Sequence, residues 1–184
     1  MDKQIENIYE LKQYAAAGKN PKFIFFWGHH SNKSEIRKQC LSQWYPANFN
    51  FDNITYNSAE QFMMAQKAVL FDDKKIFERI IKENQMRVIK ELGRKVKNFS
   101  EDIWKKNRFE ITVNGNMAKF KQNTELKNYL ISTKNKILVE ASPYDKIWGI
   151  GMAENDKEIQ NIYRWRGLNL LGFALMKVRK ILKD

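Results

Sequence analysis

Apolar residues at Ile5, Ile8, Leu11 and Tyr14 or Ala15 recur every three to four positions, the period of a helix face, and predict a helix over residues 2–17. Gly18-Lys19-Asn20-Pro21 ends it in a turn. "KFIFFWG" breaks that period, and an unbroken apolar run so short reads as a buried strand. Residues 41–56, "LSQWYPANFNFDNITY", mix aromatics with Pro46, three Asn and Asp52, which predicts loops and short strands carrying rings to a surface. Helical periodicity then returns. Ser58 is placed to cap a helix over 59–71, and Asp72 or Asp73 to start another over 74–83. Further helices are predicted near 85–92, 101–118, 124–132 and 168–182, with a brief strand at 137–140, "ILVE". No repeat, low-complexity tract or linker interrupts the pattern, which predicts a single, predominantly helical α+β domain with a few short strands.

Composition narrows the class. The 184 residues are 43% hydrophobic and 13% aromatic, far too apolar for a disordered chain. Thirty-three basic residues against 21 acidic ones leave a formal charge of +12, which favours anionic partners such as nucleic acid, nucleotides or phosphate esters, although net charge also serves solubility. Cys40 is alone, so no internal disulfide forms, and a reducing cytoplasm is the expected compartment. No apolar run is long enough for a secretory leader or a membrane span, and a soluble protein without membrane partners is expected.

Few residues carry obvious chemistry. His29 and His30 are adjacent, so on an extended segment they point to opposite faces, and no Cys, Asp or Glu follows at ligand spacing; no metal site is expected. Cys40 has no neighbouring base and reads as a small buried hydrophobe. In "DKIWGIGM", residues 145–152, two glycines let the backbone approach a ligand closely, or simply turn the chain to bury Trp148. Trp27, Trp44, Trp104, Trp148 and Trp165 can stack on bases or fill a core. "GNMAKF" puts Asn116 and Lys119 on one helix side, where a solvated face is the simpler reading.

"NSAEQFMMAQKA", residues 57–68, is the most informative stretch. Glu60 and Lys67 are seven residues apart, close to two turns, so they share a helix side about 10 Å apart with Met63 and Met64 between them. That is too far for i,i+4 pairing, and a solvated face would not carry two methionines beside Phe62, so partial burial is predicted. Burial lowers a lysine pKa and raises a carboxyl pKa, the states that a nucleophilic amine and a proton donor need near pH 7. The pattern points to an active site and names no substrate.

Seven stretches, "FIFFWGHH", "LSQWYP", "YNSAEQFMMAQKA", "LGRKV", "GNMAKFKQN", "LVEASPYDKIWGIGM" and "GLNLLG", together resemble the NADAR family, the YbiA-like N-glycosidases, in family order. The resemblance covers residues 23–184, leaving 1–22 as an N-terminal helix and turn. It implies a hydrolase of the N-glycosidic bond between ribose and an amine-bearing base. Two substrates fit: ribosylamino-pyrimidine phosphates of riboflavin synthesis, and ADP-ribose on the guanine amino group of DNA, the latter paired with an ADP-ribosyltransferase toxin. Carried over by residue, it implies catalytic Glu60, Lys67 and Asp145, site residues Trp104 and Trp148, and ligand-facing Trp44, Gly149, Gly151 and Asn169. Trp27, Asn116 and Lys119 join them as substrate-binding candidates; no metal and no cofactor is expected. Gln43 stands where many relatives have Asn, and "AENDKEIQNIYRW", residues 153–165, is an insert expected to form a loop or lid.

The implied chemistry has two routes. A ribose bound through an exocyclic amine can open to an imine at C1, which a desolvated lysine captures, releasing the base. Glu60 or Asp145 would protonate the departing nitrogen, a step typically worth about 10²- to 10⁴-fold. Alternatively, water attacks an oxocarbenium-like ribose between the carboxylates while the lysine only binds. Lys67 ranks ahead of Lys119 as nucleophile, because the polar surroundings of Lys119 predict less desolvation. A different class remains open: a non-catalytic basic protein that binds nucleic acid or a toxin.

Overall fold

The computed structural model describes residues 5–28 and 35–183. Along the chain run α1 (Ile8–Ala16), β1 (Phe23–Phe26), β2 (Phe49–Phe51), β3 (Ile54–Tyr56), α2 (Ala59–Leu70), α3 (Lys74–Lys82), α4 (Met86–Arg94), α5 (Glu101–Gln122), α6 (Thr124–Ser132), β4 (Ile137–Glu140) and α7 (Leu170–Ile181). Short 3-10 turns lie at Lys38–Leu41 and Ile162–Arg164. The chain is α+β and mainly helical. It divides into two compact units, Gln43–Thr124 and the flanking segments Met1–Ser42 with Glu125–Asp184. Among the described residues no helix is long and apolar enough to cross a membrane.

The unit Gln43–Thr124 is built around α2. Ser58 caps it, accepting from the Gln61 N–H at 3.1 Å. Eight of its twelve residues are buried, Glu60 and Gln61 included, because α3, α4 and α5 all pack against it. The cap of α3 is Asp73, whose carboxylate accepts from the Lys97 and Ile76 backbone N–H groups and is held below the usual carboxylate range by them. Two glycines permit close helix contact. A Cβ on Gly115 would lie 2.5 Å from the Phe62 ring, and one on Gly93 would collide with the Met64 side chain. α5 runs to Gln122, past its predicted end at 118. The hairpin β2–β3 turns on Asp52 and Asn53, both in the left-handed region (φ 49° and 62°), as a two-residue hairpin requires. Its rings do not reach a surface as expected. Phe49 and Tyr56, opposite each other across the ladder, are 2% and 1% exposed and both pack on Phe62, since strand alternation turns this pair inward.

In the flanking unit, residues 2–4 of the predicted helix lie outside the described residues, and among those described α1 begins at Ile8 rather than residue 5 because the Asn7 side chain accepts from the Tyr9 and Glu10 N–H groups and caps it. β1 and β4 fall within the apolar runs read as strands, and they pair in parallel, Phe23 to Ile137 through Phe26 to Glu140. α7 packs on β4, burying Leu171, Phe173, Leu175 and Val178. The α7 helix starts at 170, because Asn169 before it is held at φ +55°. The insert at 153–165 is a loop of turns, as expected, and a packed one rather than a lid. Ile159, Ile162 and Trp165 are buried, the Trp165 indole donates to the Ile159 carbonyl at 2.7 Å, its ring meets Phe23, and Glu154 pairs with Lys38.

Candidate active site

A buried polar seam runs along one face of α5. Trp104, Arg108, Thr112, Asn116 and Lys119 follow each other at spacings of four, four, four and three, so they form one stripe about 22 Å long. All five are buried. The solvated face expected for Asn116 and Lys119 is therefore corrected: both are 0% exposed, while the polar neighbours Lys121 and Gln122 at the helix end are exposed.

Hydrogen bonds tie this seam to α2. Asn116 Nδ2 donates to Gln43 Oε1 at 2.8 Å and to the Thr112 carbonyl at 2.9 Å. Gln43 Nε2 and Thr112 Oγ1 both point at Met63 Sδ, at 3.9 and 3.3 Å. The Gln43 carbonyl accepts from the Glu60 N–H at 3.0 Å. One residue thus fixes the first turn of α2 to the middle of α5. Asn116 Oδ1 is buried and accepts no hydrogen bond among the described residues. Gln43 was noted only as a departure from the family pattern, while Thr112 and Arg108 were missed by motif reading; the i,i+4 run Arg108, Thr112, Asn116 was the signal that could have found those two.

The two lysines differ. Lys67, half-buried near the end of α2, places Nζ 4.1 Å from the Phe99 ring centroid and 5.5 Å from that of Trp104. Desolvation pulls its pKa below the ordinary lysine value, the Glu101 carboxylate pulls it back up, and the Arg94 cation pushes it down. Lys119 is wholly buried, with Nζ 5.2 and 5.5 Å from the Phe120 and Tyr45 rings. The expectation that Lys119 is the less desolvated is therefore reversed, because its place on the inward stripe of α5 outweighs its polar neighbours in sequence. Glu60 is 3% exposed. Trp104 is buried, and Trp44 is half-buried under the Lys90 ammonium, 5.7 Å away.

The remaining candidates lie in the other unit. Asp145 Oδ1 accepts from the Ile147 and Trp148 N–H groups, both at 2.8 Å, and so holds the turn that carries Trp148. Trp148 stays half-buried, while Ile150 and Met152 fill the core beside it. The glycines permit protein contacts rather than an open cradle. A Cβ on Gly149 would lie 2.8 Å from the Glu140 carbonyl, and one on Gly151, at φ +67°, would lie 3.1 Å from the Arg166 side chain. Asn169 does not present its amide to a ligand as expected. Its Oδ1 accepts from the Glu140 N–H at 3.0 Å and its Nδ2 donates to the Leu138 carbonyl at 2.8 Å, on the edge of β4 away from β1. Trp27 is 51% exposed, its ring 6.3 Å from that of Tyr144. His29 and His30 lie outside the described residues. Among the described residues no group of three His, Cys, Asp or Glu side chains could hold a metal, and Cys40 is buried.

A carboxylate and a desolvated amine on one side of a helix, backed by a fixed polar seam, can deliver a proton and a nucleophile. The NADAR domain model matches residues 25–183. An N-glycosidase of Acanthamoeba polyphaga mimivirus is 45% identical over 164 residues, spanning 86% of this chain and 95% of that protein. A riboflavin biosynthesis protein of Vibrio vulnificus is 28% identical over 144 residues, 78% of this chain and 35% of that longer protein. The NMR structure of the Escherichia coli protein YbiA is similar to this chain at a TM-score of 0.70 and 25% identity, covering 90% of this chain and 87% of that one.

Proposed function

The chain belongs to the NADAR family, and from that premise we propose that it is an N-glycosidase that hydrolyses the bond between ribose and an amine-bearing base. The observation that carries this reading is the half-open, desolvated Lys67 on the same helix as the buried Glu60. A nucleophile must be neutral and reachable. Desolvation moves Lys67 toward the neutral form and its side chain keeps exposed surface, whereas Lys119 has no exposed surface through which a sugar could reach it.

In the proposed reaction the ribosylamine opens, its ring oxygen taking a proton and C1 becoming an imine to the base nitrogen. The neutral Lys67 amine adds to C1. Glu60 protonates the base nitrogen, the C1–N bond to the base breaks, and the base leaves as a free amine. Water then adds to the lysine imine, C1 returns to an aldehyde that recloses to ribose, and the lysine is regenerated; the net change is the addition of one water. The +12 charge favours ADP-ribose on guanine in nucleic acid as substrate, with a toxin of the ADP-ribosyltransferase class as counterpart. The name of the Vibrio relative favours a ribosylamino-pyrimidine phosphate instead.

Both substrates are to be offered to the full-length protein in the presence of borohydride, followed by peptide mapping. A sugar adduct on Lys67, formed with one substrate and not the other, is the expected result. An adduct on Lys119 overturns the choice of nucleophile, and hydrolysis of neither substrate overturns the function. Turnover without any adduct, retained in Lys67→Ala, overturns the imine route in favour of direct attack by water.

A further inference from the structure

Outside the candidate active site, the turn between α6 and β4 and the second half of α7 line a half-open cavity of about 220 Å³. Lys134, Asn135, Met176, Arg179, Lys180 and Lys183 line it, four cations and, among the described residues, no carboxylate. The surrounding sequence has the same sign, since neither residues 126–139 nor residues 159–183 contain an Asp or Glu. Cations in the last turn of α7 suit its negative dipole end, which accounts for Lys180 by itself. Arg179 is different. It is 6% exposed, and its Nη1 donates to Thr133 Oγ1 at 2.7 Å and to the Lys136 carbonyl at 2.8 Å, both neutral acceptors. Burial lowers its pKa to about 10, so it remains a cation at neutral pH, and no nearby acid opposes that shift. A desolvated guanidinium among lysines, with only neutral partners among the described residues, is an unfavourable arrangement until an anion joins it.

We propose that this cavity is a phosphate-binding site that takes one phosphate group of a nucleic-acid strand. The volume is below the roughly 300–1,000 Å³ of sites that enclose whole small-molecule ligands, so it suits an oxyanion rather than a nucleoside. The planar guanidinium offers donors in a fixed fork to phosphate oxygens, and the exposed ammonium groups of Lys134, Lys180 and Lys183 supply point charges around it. Free inorganic phosphate has the same chemistry, so both sources are tested. The site shares no residue with the candidate active site and does not rest on the hydrolase reading.

The test measures binding of a labelled 12-nucleotide single strand by anisotropy, and of inorganic phosphate by calorimetry, to the full-length protein. The variant Lys134→Gln/Lys180→Gln/Lys183→Gln changes exposed side chains only, and its melting temperature reports that the fold is kept. Lys74→Gln/Lys75→Gln/Lys82→Gln, equally exposed on α3, removes the same charge elsewhere. The expected result is an oligonucleotide affinity at least tenfold weaker in the first variant than in the second. The slope of log affinity against log salt should fall by about 2, three contacts at about 0.7 each. Arg179→Lys, which keeps the charge and loses the fork, should weaken binding as well. Equal losses in the two triple variants, or no binding of either probe by the unaltered protein, overturn the proposal. Binding of phosphate alone, lost in the first triple variant, overturns the nucleic-acid source and leaves a site for the free ion.

Discussion

The seam between α2 and α5 and the segment from Asp145 to Asn169 both hold residues expected to serve catalysis, yet the two regions use them differently. In the first, side-chain chemistry is left over after the fold is built. Lys67 is held between rings with its amine half-open, and Asn116 retains a buried oxygen that no described group satisfies. In the second, polar side chains are consumed by backbone. Asp145 holds a turn, Asn169 completes the edge of β4, and the glycines make room for carbonyls and side chains. Both regions carry stretches of the family resemblance, so the motif by itself does not separate an architectural residue from a reacting one. Only the hydrogen-bond partners separate them.

The largest effect expected from this contrast is on turnover. Glu60→Gln and Lys67→Ala should each lower kcat by about 10²- to 10⁴-fold with little change in melting temperature. Asp145→Asn should cost far less kcat than Glu60→Gln; equal losses in steady-state assays would erase the distinction between the regions. Next comes Asn169→Ala, which strands the Glu140 N–H and the Leu138 carbonyl in a buried place. At about 1–3 kcal/mol for each such group, the loss should be about 2–6 kcal/mol, with the surviving folded fraction as active as before. Calorimetric unfolding paired with activity per folded molecule checks it, and a stable but inactive variant would make Asn169 a ligand residue after all. Trp148→Ala should weaken substrate binding by about 1–3 kcal/mol, read as a raised KM, while the melting temperature changes little. A collapsed melting temperature with normal binding by the folded remainder would assign the ring to the core.

The smallest expected effect is on pH dependence. A nucleophilic lysine must be neutral, so kcat/KM should rise with pH through the pKa of Lys67, which lies below the ordinary lysine value. Arg94→Gln removes a cation that lowers this pKa, so the acid limb should move to higher pH. Glu101→Gln removes the carboxylate that raises it, and the limb should move to lower pH. Two variants that shift the limb in the same direction, or not at all, would dissociate it from Lys67.

The amino-acid pattern determined most of the framework. Helix starts at Ser58 and Asp73, the helical run from Thr124, and the strand "ILVE" were legible because caps and periodicity act within a few residues. The partial burial of Glu60 and Lys67 was legible too, since α2 carries apolar residues around almost its whole circumference. What tertiary structure decided was which polar groups lose water and which lose their freedom. Lys119 looked solvated beside Lys121 and Gln122, and became the more buried lysine because α5 turns its stripe toward α2. Phe49 and Tyr56 looked like surface rings until the hairpin register faced them inward onto Phe62. Gln43 and Asn116 are 73 residues apart, and no local pattern states that one will accept the other's hydrogen bond. Periodicity is a property of neighbours along the chain; desolvation and hydrogen-bond partnership are properties of neighbours in space.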